Sequence, residues 1–278
     1  MTQLIEIVKK QTEKLRIMGL YNPEKDARSL ICAALNLDPL DYLLCTNKNL
    51  SDSEMSKIGS FIDRRLKFEP VSKIIGKRYF WDLEIFVDSN VLDPRPESEI
   101  LIEKVLKNTS NQRSILDLGT GSGCLAIVLS SKLDQSEIDG IDISKEALKV
   151  ARKNANKNNV QVNFFQSNWF SNIYKKYDII VSNPPYISKS EFVKLPRAVK
   201  CFDPEIALYG GEDGLGSYRI IARSIVSYLN DKGLAFFEIG QGQSNAVIKI
   251  FENQGLSLVK VWKDLDQNNR IICVKKDA

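Results

Sequence analysis

The sequence contains no histidine among its 278 residues. That absence removes Ser-His-Asp and Cys-His nucleophilic catalysis, together with the commonest metal ligand. Any chemistry here proceeds without imidazole. Cysteine is scarce: Cys32, Cys45, Cys124, Cys201 and Cys273 are far apart, odd in number and never spaced as CxxC. Neither a disulfide framework nor a zinc site is indicated, and reduced structural thiols are expected. No run of about 18 or more apolar residues is present to cross a bilayer. The first residues, MTQLIEIVKKQTEKLRIMGL, mix Glu and Lys through the apolar positions and offer no signal-peptide pattern. A cytoplasmic protein without a membrane partner is expected. Hydrophobic residues at 43% and charged residues at 27% fit an ordinary globular chain, and a net charge of +4 falls short of a dedicated nucleic-acid binder.

The length favours two domains or one domain with a substantial appendage. In residues 1–75, Leu4, Val8, Leu15 and Met18 recur at helical spacing, and Asn22-Pro23 suggests an N-cap with Pro at the first helical position. Ser51 to Glu54 is a capping-box pattern opening a helix with Met55, Ile58, Ile62 and Leu66 on one stripe. This part carries no chemical motif, which leaves packing or substrate recognition. YFWDLEIFVD (79–88) suggests a hairpin within a linker over 76–96. From residue 97, helical patterns alternate with apolar strands at 114–118, 137–141, 162–165, 178–181 and 233–239. Such alternation predicts a largely parallel sheet covered by helices over 97–278. The last two runs, 256–262 and 270–276, form a candidate antiparallel pair.

Strand 114–118 runs directly into Asp117-Leu-Gly119-Thr120-Gly121-Ser122-Gly123 and then into a helical pattern. Strand, glycine loop and helix form a nucleotide-site arrangement, because glycine permits positive φ and the helix start offers N–H donors. The spacing is neither that of dinucleotide sites nor that of triphosphate sites, so a cofactor without phosphates fits better. For S-adenosylmethionine, the loop N–H groups would take the methionine carboxylate and Asp117 the α-ammonium. Asp142 ends the next strand at the distance where an acidic side chain reaches a ribose diol.

After strand 178–181 comes Ser182-Asn183-Pro184-Pro185-Tyr186. Two prolines stop the ladder rigidly, at the sheet edge where open α/β folds hold ligands. Asn183 Oδ1 and the Pro184 carbonyl can then both face an NH₂ group as acceptors. The target is a planar amide or an aromatic amine.

With these motifs the sequence resembles the PrmC/HemK family of protein methyltransferases acting on the glutamine of release factors. Asp93-Pro94-Arg95-Pro96-Glu97-Ser98-Glu99, DPEIALYGGEDGL (203–215) and EIGQGQ (238–243) extend the match over nearly the whole chain. The resemblance implies a class I, Rossmann-like α/β methyltransferase fold with a mostly parallel seven-stranded sheet, a small N-terminal helical domain and a hairpin linker. It implies cofactor contacts from Gly119 to Gly123, Asp142, Trp169 and Asn183, and glutamine contacts from Asn183, Pro184, Pro185 and Tyr186. Peptide chain release factors are the implied partners of a monomer with no nucleic-acid substrate. Ser98 replaces the usual Thr, and Asn168 stands where an Asp commonly precedes the Trp. The alternatives are glutamine of a large-subunit ribosomal protein and adenine's exocyclic amine, although no basic, aromatic-interleaved insertion serves base flipping.

Overall fold

The computed structural model describes residues 3–109 and 114–277. It divides into two compact units, one of residues 1–77 with 196–202, the other of 78–195 with 203–278.

The first unit is built from α1 (Leu4–Ile17), α2 (Pro23–Leu35), α3 (Pro39–Leu44), α4 (Asp52–Leu66) and α5 (Val71–Ile75). Its core gathers Leu4, Ile7, Leu15, Leu30, Ile31, Ile58 and Ile62. The Ser51–Glu54 capping box forms in both directions, with Glu54 N donating to Ser51 Oγ and Ser51 N to Glu54 Oε2. Pro23 opens α2, but Asn22 makes no side-chain cap bond. Met18 and Met55 are exposed instead of joining the stripe, since each sits at a helix end beyond the packed face.

The second unit begins at Arg78, within the hairpin of β1 (Lys77–Phe80) and β2 (Leu83–Phe86). Phe80, Ile85 and the following Val87 are buried in the unit's main core. Then come α6 (Ser98–Asn108), β3 (Ser114–Leu118), α7 (Cys124–Lys132), β4 (Glu137–Asp142), α8 (Lys145–Lys157), β5 (Asn163–Gln166) and β6 (Tyr177–Ser182). After α9 (Lys189–Val193) and α10 (Arg197–Lys200, in the first unit), α11 (Gly216–Tyr228), β7 (Leu229–Glu238), α12 (Ser244–Glu252), β8 (Leu256–Lys263) and β9 (Asn269–Lys276) complete the chain.

The seven-stranded sheet has the order β5-β4-β3-β6-β7-β9-β8, parallel except for β9, which runs antiparallel to β7 and β8. Side chains of opposite parity enter opposite layers: Ile115, Ile179, Val181, Phe236 and Cys273 pack on one face. Leu116, Ile180, Ala235, Phe237 and Ile272 pack on the other. Burial on both faces explains why these strands read as unbroken apolar runs. Among the described residues no helix is long and apolar enough to cross a membrane.

The register fixes where the motifs emerge. Leu118 pairs with Ile141 on one side and Ser182 on the other, Asp142 pairs with Gln166, and Ser182 pairs with Phe237. The chain order reverses between β3 and β6, so the loops after them diverge and open a crevice at the carboxyl edge.

Candidate active site

The crevice is a cleft lined by Gly119, Gly121, Ile141, Asp142, Ser167, Asn168, Trp169, Asn183 and Pro185, with Asn90 to Leu92 and Pro204 to Ala207 at its other walls. Thr120, Ser122, Gly123, Pro184 and Tyr186 belong to the same loops but do not line it, and Asp117 lies beneath the floor, fully buried.

Three positive-φ glycines wind the loop. A Cβ on Gly119 or Gly121 would meet nothing within 4 Å, whereas one on Gly123 would press on Ile127, Ala151 and Phe164 at 3.0 to 3.2 Å. The first two glycines therefore leave space for a ligand, and the third lets α7 pack. The tight winding turns the loop amides inward: Gly119 N and Thr120 N donate to Ile141 O, Gly121 N to Asp142 Oδ2, and Gly123 N to Thr120 O. The expectation that these N–H groups take a carboxylate therefore fails for these four, because Ile141 O, Asp142 Oδ2 and Thr120 O already accept from them. Asn154, buried, donates to Ser122 O at 2.8 Å and to Phe86 O at 3.0 Å, tying the loop to α8 and the hairpin. An Asn in a polar helix stretch gives no sequence signal of that role.

Asp142 accepts from Gly121 N at 2.9 Å and Ser144 N at 2.8 Å. A carboxylate has about four acceptor positions, so lone pairs remain for a cleft ligand. Asp117 Oδ2 accepts from Thr120 Oγ1 at 2.6 Å, while Oδ1 is buried without a hydrogen-bond partner. Burial pushes the Asp117 carboxyl up to about 7. Trp169 has φ of +50°, rare for a bulky residue. Ser167 holds that turn, its Oγ donating to Trp169 O at 2.6 Å and accepting from Asn172 N at 3.0 Å. Asn168 lines the cleft beside it.

Asn183 is fixed through its amide nitrogen, which donates to Ser98 Oγ at 3.0 Å. Tyr186 is turned away, its hydroxyl 3.3 Å from Glu238 Oε1, with burial pushing the phenol above its ordinary range.

The sequence matches the Methyltransferase small domain over residues 89–197 and the PrmC N-terminal domain over 6–76. A release factor glutamine methyltransferase of Thermodesulfovibrio yellowstonii is 40% identical, the alignment covering 91% of this chain and 92% of that one. The chain belongs to the release factor glutamine methyltransferase family. A bifunctional methyltransferase of Rickettsia bellii is 38% identical over 93% of this chain, but the chain spans only 52% of that protein's length. A methyltransferase from Pyrococcus furiosus superposes with a TM-score of 0.57 at 18% identity, covering 78% of this chain and 99% of that one, which shows the shared fold.

What sets this family member's tetrapeptide rigidly is segment 203–215. Ile187 N donates to Leu208 O and Gly210 N to Ile187 O, at 3.0 and 2.9 Å, a short bridge beside Tyr186. Gln243 Nε2 donates to Tyr186 O at 2.8 Å. Asp203 accepts from Arg95 Nη2 at 2.7 Å and from Asp93 N at 3.2 Å, joining this segment to the one before α6. Gly214 is in the left-handed region at +75°, and a Cβ there would sit 2.4 Å from Tyr186 O. Gly214→Ala is accordingly expected to destabilise the protein by about 2 to 4 kcal/mol, combining strain with overpacking. Denaturant titration checks this; an unchanged midpoint would mean that the tetrapeptide does not depend on this contact.

Proposed function

We propose that the protein transfers a methyl group from S-adenosylmethionine to the side-chain amide nitrogen of a glutamine in class I peptide chain release factors. The observation that carries this reading is Asn183 at the sheet edge, its nitrogen tied to Ser98 and its oxygen left for the cleft, one strand away from the glycine loop.

The residues present suit the cofactor. Gly119 and Gly121 leave a cradle that any Cβ would fill, and the partnerless Asp117 Oδ1 suits a cation such as the α-ammonium. The free acceptor positions of Asp142 suit a diol, and Trp169 and Ile141 suit the flat face of adenine. When bound, S-adenosylmethionine supplies an electrophilic methyl group on a sulfonium.

An amide nitrogen is a poor nucleophile, because its lone pair is shared with the carbonyl. Asn183 Oδ1 and the Pro184 carbonyl accept its two hydrogens, orienting the nitrogen and stabilising the positive charge that grows on it. No side-chain base is required, since the alkylated nitrogen is acidic enough to lose its proton to water.

The helical unit carries no chemistry, and a lone glutamine offers few atoms for discrimination, so binding energy must come from surface remote from the amide. We assign that role to residues 1–75. Removing them, with circular dichroism confirming a folded remainder, is expected to lower kcat/KM for the intact factor far more than for a short glutamine-loop peptide. An unchanged ratio would take recognition away from this unit.

Labelled S-adenosylmethionine offered separately with a release factor, a large-subunit ribosomal protein and duplex DNA tests the whole reading. Label is expected on the release factor; label on the ribosomal protein or the DNA alone would give the site to one of the alternatives.

A further inference from the structure

Ser98 is the first residue of α6 and Glu238 the last of β7, and both are buried. Because Ser182 pairs with Phe237, Asn183 and Glu238 stand side by side just beyond the ladder. Ser98 Oγ donates to Glu238 Oε2 at 2.5 Å and accepts from Asn183 Nδ2 at 3.0 Å. A serine hydroxyl has one hydrogen. Once that hydrogen is given to the carboxylate, Ser98 can only accept, so the Asn183 amide must turn its NH₂ inward.

We propose that Ser98 and Glu238 are positioning residues that set the orientation of the Asn183 amide, so that the cleft is offered an acceptor and not a donor. This rests on the reading of Asn183 as the acceptor for the substrate amide. A donor facing the cleft would repel the glutamine NH₂ and leave it unaligned. The polarity of the chain depends on Glu238 being ionised. A protonated Glu238 can donate to Ser98, releasing the Ser98 hydrogen towards Asn183 Oδ1 and allowing the amide to turn over.

The Cys124 thiol at the start of α7 lies near Glu238, and four further groups face it. Tyr186 donates to Oε1, Tyr218 on α11 donates to the backbone oxygen at 2.8 Å, Arg270 on β9 is the nearby cation, and Glu97 precedes Ser98. Burial raises the Glu238 carboxyl above its ordinary range, opposed by the Ser98 hydrogen bond, Arg270 and Tyr186. Proton uptake at a higher pH than an ordinary glutamate is the expected consequence, and with it a loss of turnover at saturating cofactor as the pH falls.

The test compares Ser98→Ala, Ser98→Thr, Glu238→Gln and Asn183→Ala in the full chain, reading kcat against pH, cofactor Kd and melting temperature. Ser98→Ala and Glu238→Gln are expected to lower kcat about tenfold to a hundredfold, the usual cost of a misaligned reacting group. Cofactor affinity should stay close to that of the unaltered protein. Ser98→Thr, which keeps the hydroxyl, should retain most of the rate that Ser98→Ala loses. In Glu238→Gln the acid limb should vanish and the melting temperature should not fall, since a buried charge is removed. Persistence of the acid limb in Glu238→Gln would overturn the proposal whatever its rate, even if Ser98→Ala failed to fold. Normal kcat in Ser98→Ala and Glu238→Gln beside a crippled Asn183→Ala would remove the relay and leave Asn183 standing. Normal turnover in Asn183→Ala would instead refute the underlying reading of the site.

Discussion

Asn183→Ala is expected to lower methyl transfer roughly a hundredfold to a thousandfold, the loss typical of removing one preorganised group that stabilises developing charge. The side chain is half-buried and makes one hydrogen bond, to Ser98, so its removal should cost only about 1 kcal/mol of stability. The adjacent prolines and the bridge from Ile187 to Tyr209 would still hold the backbone. Turnover and denaturation midpoint measured on the same preparation separate the two effects. A folded mutant with near-normal rate would leave the cleft without its amide acceptor.

Replacing Asp117 with Asn should open a pH-dependent stability difference. Its carboxyl moves from an ordinary 3.8 to about 7 because burial disfavours the charge. A raised folded value means that the group's contribution is fully present below about pH 3.8 and is lost as pH rises through about 7. That interval corresponds to about 4 kcal/mol. Ligand-free Asp117→Asn should therefore gain on the unaltered protein by up to about 4 kcal/mol between about pH 4 and pH 8. Cofactor affinity should move the opposite way: it should rise with pH in the unaltered protein as the carboxylate forms to meet a cation, and be weaker and flat in Asp117→Asn. A pH-independent stability difference would mean that Asp117 is ionised throughout; an unaltered affinity would remove it from the cofactor site.

Much of this arrangement was legible from residue order. The apolar runs at 114–118 and 178–181, each followed by a backbone-breaking motif, located the two strand ends that flank the crevice, because a buried parallel sheet leaves little ambiguity in period or place. The capping box at Ser51 was equally local. The failures are of another kind. Nothing near Gly119 in the sequence indicates that its loop amides would turn back to Ile141 and Asp142, since that depends on three φ angles acting together. Ser98 and Glu238 lie 140 positions apart and meet only because α6 packs against β7. Gly214 and Asn154 read as ordinary loop and helix residues until the chain is folded against them. Local chemistry is written in neighbours, whereas positioning is written in topology.

The most direct test of the proposed function is to locate the transferred methyl group. A release factor incubated with the full chain and S-adenosylmethionine, then digested and sequenced by mass spectrometry, should carry one methyl on the side-chain nitrogen of a single glutamine, absent when Asn183→Ala replaces the unaltered protein. A methyl group on a lysine, a carboxylate or the backbone, or an unmodified factor beside a methylated ribosomal protein or DNA, would contradict it.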